Sequence, residues 1–200
     1  MPWFRTSPIK EMIGSLEFAA DCAATLRDRP ETWRWFVLSL HLALQGALVC
    51  ALKGFDTSGV AALSGTSARR TQEWLDARKS GEFPPNQQLA SVRELVGRAQ
   101  TWLPPSNRLP SDPRVIDDLL RLNDIRNHVS HLVTDGWSLD LSGMPRIALN
   151  TLGVIEFLTL TSPTFWHHYD GDDQDRIRRA IGNLRFHLQS LAANFASSPR

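Results

Sequence analysis

The segment LNDIRNHVSHL, residues 122–132, sets Asp124, Arg126, Asn127, His128, Ser130 and His131 among aliphatic side chains. An arginine fork can clamp a phosphate, and an imidazole titrates near neutral pH and can move a proton. On ideal helix geometry Arg126 and His131 are separated by roughly 140° of turn and about 7.5 Å of rise. They cannot touch, but they can line one groove. Asn123, Asn127 and His131, spaced four apart, form a polar ribbon, and Arg126 and Ser130 lie between it and the apolar stripe of Val115, Leu119, Leu122, Ile125, Val129 and Leu132. On spacing alone, a plainly solvated helix face is the better account. His128 points away from the ribbon and is expected to pack or face solvent, and Asp124 is its i+4 neighbour for an ordinary surface contact.

Other residues with chemical potential lead less far. His167 and His168 sit near Asp170, Asp172 and Asp173, but adjacent residues point apart and no His-x3-His or HExxH pattern accompanies them, so no metal site is expected. His41 falls inside an apolar run and reads as a hydrogen-bonded core histidine, while His187 in the last helix needs no special role. Cys22 and Cys50 are each surrounded by apolar residues, with no Cys-x-x-Cys motif, and read as buried thiols. No phosphate-binding glycine loop or Gly-x-Ser-x-Gly elbow occurs, and no cofactor is expected. Arg69, Arg70 and Trp74 could form a small RNA-contacting patch. The other tryptophans, Trp3, Trp33, Trp35, Trp102, Trp137 and Trp166, are scattered and read as packing anchors rather than a stacking platform.

The elements that must position these groups are helical. Two hundred residues, 42% hydrophobic and 22% charged, suit one globular domain over residues 1–200 and argue against disorder. A net charge of +1 predicts no strong overall field, so any nucleic-acid contact must be local. Helical periodicity places helices near residues 8–27, 31–53, 67–79, 89–101, 113–132, 145–160 and 172–195, with a frayed tail at about 195–200. Between the motif helix and the next, Trp137, Leu139 and Leu141 alternate as in a short extended stretch. The run FVLSLHLALQGALVCAL, residues 36–52, is apolar nearly all round, and His41, Gln45 and its flanking charges make it a central core helix rather than a membrane span. The N-terminus lacks the apolar core of a signal peptide, so the expected location is the cytoplasm, with no membrane contact. The expected fold is all-α, an antiparallel bundle of about six helices.

The motif residues also resemble the hallmark of a known family. DIRNHVSHL is similar to the signature of the HEPN family (higher eukaryote and prokaryote nucleotide-binding domains), which is Arg, a polar residue such as Asn, and His after a few intervening residues. Arg126, Asn127 and His131 fill it with four residues between Arg and His, late in an all-helical chain. An upstream apolar helix and a following helix match the family's layout, and the downstream GWSLDLSGMPRIALNTLGVIEFL is similar to prokaryotic members. The likeness is specific over about ten residues and architectural elsewhere.

The resemblance implies a metal-independent endoribonuclease. In such a site the ribose 2′-OH attacks the adjacent phosphorus and leaves a 2′,3′-cyclic phosphate. His131 would act as general base or acid, Arg126 would stabilise phosphoryl charge, and Asn127 would orient the imidazole or bond the phosphate. Asn123 and Ser130 would help bind substrate. Because transphosphorylation needs both an acid and a base, the resemblance further implies a homodimer that pairs two motif helices around one cleft. RNA or a nucleotide is the implied partner, and a role as a toxin or defence component would bring an antitoxin. The family also contains non-catalytic nucleotide-binding and protein-interaction modules, and a chance motif on an ordinary helical domain is the plainest alternative.

Overall fold

The computed structural model describes residues 6–55, 60–65, 73, 75–77, 79–81, 88–130, 138–162 and 169–197. Among them six α-helices of ten or more residues carry the fold: α1 (Pro8–Ala23), α2 (Thr32–Phe55), α3 (Val92–Thr101), α4 (Pro113–Ser130), α5 (Met144–Glu156) and α6 (Gly171–Ser197). The chain is an all-α bundle. The described part has no strand, only an isolated bridge between Leu63 and Leu89. Residues 138–141 take no regular structure, so the alternation at Leu139 and Leu141 does not mark a strand. Both leucines instead pack, partly buried, against the core.

Helix α2 is the axis of the molecule. Phe36, Val37, Leu40, Ala43, Leu44, Ala47, Leu48, Ala51 and Leu52 are fully buried along it, which is the outcome expected for a helix apolar nearly all round. It is also long and apolar enough to cross a membrane by length and composition, yet most of that stretch is buried inside the protein, as a core helix would be. Helices α1, α3, α4 and α5 all pack on α2, and α6 closes the outside by bridging α1 and α5. The α1–α2 seam is tight. A Cβ built on Gly46 would stand 2.7 Å from Met12 Cβ, so only glycine lets the two backbones come this close.

Local sequence explains the helix ends. Ser7 caps α1 through the Lys10 amide, with Pro8 in the first turn. Ser91 and Glu94 form a reciprocal capping box on α3. Asp112 accepts from the Arg114 amide ahead of α4. Helix α5 continues into a π-helical turn, Phe157–Thr161. In α6, Ile177, Ile181, Leu184, Leu188 and Leu191 are all buried, and the helix runs on to Ser197, past the point near residue 195 where a frayed tail was expected.

Candidate functional site

The motif helix meets the core through Leu119, Leu122 and Val129, which are buried, with Val115, Ile116 and Ile125 partly so. This rotation fixes where each polar residue goes. Arg126 and Ser130 are half-buried and line a cleft of about 630 Å³, while Asn127 and His128 are exposed. The cleft exists because α1 and α4 both lean on α2 without being a close-packed pair themselves. Its floor is Leu38, Ser39 and Leu42 of α2, one wall carries Lys10, Glu11 and Phe18 of α1, and the other carries Arg126 and Ser130.

The Arg126 guanidinium donates to Asn127 Oδ1 at 2.9 Å, and no carboxylate pairs with it among the described residues. Two acids of α4 and α5 are engaged elsewhere, whereas Glu11 of α1 lines the cleft itself. Asp118 is held by Arg146 and Asn150, and Glu156 pairs with Arg185. Asn127, expected to orient the imidazole or bond the phosphate, accepts the Arg126 hydrogen bond, and its place relative to His131 lies outside the described residues. Ser130 Oγ donates to the Asn127 carbonyl at 3.0 Å. His131 lies outside the described residues, as do His167, His168, Arg69, Arg70, Trp74 and Trp137.

Asn123, the first residue of the polar ribbon, is half-buried and turned towards α2. Its Oδ1 lies 3.2 Å from His41 Nε2, so Nε2 carries the proton and donates. Burial pushes the His41 pKa down to about 4; the Asn123 bond opposes this and the charge of Arg126 adds to it. The ring is therefore neutral at physiological pH, and its Nδ1 is buried without a partner among the described residues. The sequence marks His41 as a core histidine, which it is, but gives no sign that its partner belongs to the motif helix.

The cleft also gathers exposed apolar surface. Phe18, Trp35 and Leu42 are 49%, 52% and 48% exposed, and all three line it. Trp33 is buried against Phe36, as a packing anchor should be, but Trp35 is not an anchor, because α2 turns it out of the core. Trp102 is likewise 43% exposed, lying under the Arg98 guanidinium. Cys22 and Cys50 are buried thiols, as expected, and burial pushes Cys50 up to about 12, far from nucleophilic use. No group of His, Cys, Asp and Glu among the described residues could hold a metal ion.

No protein-family model matches the chain, and neither a curated protein nor a solved structure does.

Proposed function

We propose that the chain is a HEPN-like, metal-independent endoribonuclease of the cytoplasm, working as a homodimer. The observation that carries this reading is Arg126. It is a half-buried guanidinium at the wall of an open cleft, aimed by a neutral amide and lacking a carboxylate partner among the described residues. Arg98, Arg146, Arg176 and Arg185, in contrast, each bond a carboxylate or backbone carbonyl. An arginine held in place but left unneutralised is suited to a phosphate.

The reaction consistent with this set is transphosphorylation. The 2′-OH loses its proton to a base as its oxygen bonds to phosphorus, the P–O5′ bond breaks, and an acid protonates the departing O5′. Arg126 would bind the phosphoryl oxygens as negative charge gathers on them. His131 of each subunit would supply base and acid in turn, by its motif position. Asn127 would keep the guanidinium aligned. The exposed side of the motif helix at Asn127 and His128 offers a face on which a second subunit could bring its own copy.

The test is incubation of the purified chain with unpaired RNA in the presence of chelator, with analysis of the new ends. Cleavage leaving 2′,3′-cyclic phosphates is expected, and His131→Ala and Arg126→Ala should each slow it at least about a hundredfold. Equal cleavage by the variants, or none by the folded wild type on any RNA, removes the catalytic claim. Retained nucleotide or protein binding that is indifferent to His131→Ala points instead to a non-catalytic module.

A further inference from the structure

We propose that the α1–α2–α4 cleft receives a single unpaired nucleobase, stacked on Trp35, whose phosphate rests on Arg126. This rests on the ribonuclease reading for the identity of the longer chain to which the base belongs, and would make Trp35 a base-binding residue that does not select among bases.

Three observations lead here. The first is size and lining. A cleft of about 630 Å³ with a mostly apolar wall and a few convergent polar groups falls in the range of small-ligand sites. The second is aromatic exposure. Phe18 and Trp35, from two different helices, are each about half exposed, and both line this cleft. A tryptophan face stacks on any base, provided that base is not already paired in a duplex. The third is charge. Of the two cations that line the cleft among the described residues, Lys10 is occupied by Asp173 at 2.6 Å and Asp170 at 3.7 Å, and Glu11 adds an acid, so Arg126 is left for an anion. One cation suits one phosphate rather than a run of them. Arg34 lies over the Trp35 ring at 5.6 Å from its centroid, so a base must take the ring's other face.

The rival occupant is a second copy of this chain laid over the apolar residues. That would bury Glu11 and Arg126, for which the described residues supply no ion pair, at a desolvation cost. A nucleotide leaves its sugar edge and the cleft rim open to water. The cleft therefore fits a base better than a protein face, while the exposed Asn127–His128 side of α4 remains available to a partner subunit.

The experiment measures calorimetric binding of 5′-AMP and of ribose 5-phosphate, which lacks the base, to the full chain. 5′-AMP should bind at least about tenfold more tightly. Trp35→Ala should erase that difference without changing ribose 5-phosphate binding, and Trp35→Phe should keep most of it. Arg126→Ala should weaken both ligands alike. Because the Trp35 ring is half exposed, its replacement leaves the core intact, which a thermal melt checks; Phe18→Ala provides a second variant, on the α1 wall. Equal binding of the two ligands, an unaffected Trp35→Ala, or dissociation of a dimer by that substitution overturns the proposal. RNA cleavage without any preference for 5′-AMP removes the base subsite alone, whereas base-dependent binding without cleavage removes the nuclease alone.

Discussion

The two halves of α4 use polar residues in opposite ways. In the first half Asp118 is buried, its carboxylate taking Arg146 at 2.5 Å and Asn150 at 2.7 Å, so that three polar groups are consumed in fastening α4 to α5. In the second half Arg126 bonds to the side chain of Asn127, and Ser130 bonds to the Asn127 backbone, contacts that fasten α4 to nothing else. A strut needs charge cancelled across an interface. A binding group needs its charge held in place and left uncancelled. One helix therefore shows what a structural ion pair looks like in this protein, and Arg126 does not look like one.

The strongest way to break this contrast is to remove the strut. Arg146→Ala leaves the Asp118 carboxylate, only 3% exposed, with Asn150 as its remaining hydrogen-bond partner. Losing one partner of a buried pair costs about 3–5 kcal/mol, and the lower end applies because Arg146 is itself half in water. Adding Asp118→Asn to that variant should recover part of the loss by removing the stranded charge. Chemical denaturation measures both, and a loss below about 1 kcal/mol for the single variant would mean that the clamp is decorative.

A second prediction turns on His41, which reaches from α2 to Asn123 near the start of the second half, a tie across helices that this half does make upstream of Arg126. The folded protein holds this ring neutral down to about pH 4, whereas the unfolded chain protonates it near its ordinary value. The unfolded state therefore binds the extra proton first. The stability that depends on His41 is complete above about pH 6.5 and is lost as pH falls from there towards 4. Between pH 7.5 and 4.5 the wild type should lose roughly 2 to 3 kcal/mol more than His41→Gln, which can still donate to Asn123 but does not titrate. Urea midpoints at the two pH values provide the measurement. Parallel losses in both proteins would show that the ring is not the buried neutral group described.

His41 also marks where sequence stops being informative. The stripe of α6, the all-round burial of most of α2 and the capped start of α4 are written in periodicity and end signals, because each depends on residues three or four apart. The capping box of α3 is equally local, carried by Ser91-x-x-Glu94. The His41–Asn123 bond joins residues 82 positions apart, and no local pattern carries such a contact. The cleft was hidden for a different reason. A helix that is apolar on every side does not declare which side its neighbours will leave open, so Leu42 and Trp35 looked no different from Leu40 and Trp33. Arg126 stands out by its motif, but that no carboxylate pairs with it among the described residues is a property of the tertiary structure, which no local pattern carries.

The smallest expected effect is also the sharpest test of the comparison. Arg126→Ala removes a half-buried guanidinium whose hydrogen bond runs to an exposed neighbouring side chain, so unfolding free energy at pH 7 should change by no more than about 0.5 kcal/mol. The same substitution removes a positive charge that helps hold the His41 pKa down, so the His41 titration, followed by NMR, should move upward while burial still keeps it below the ordinary imidazole value. The two readouts are independent, one reporting whether Arg126 supports the fold and the other whether its charge reaches into the bundle. A stability loss above about 1 kcal/mol would make Arg126 a strut after all, equivalent to Arg146, and the two halves of α4 would no longer differ in kind. An unmoved His41 would place the guanidinium too far out to share the electrostatics of the cleft floor. A small stability change together with a raised His41 pKa is what a fixed, uncancelled charge beside an open cleft must produce.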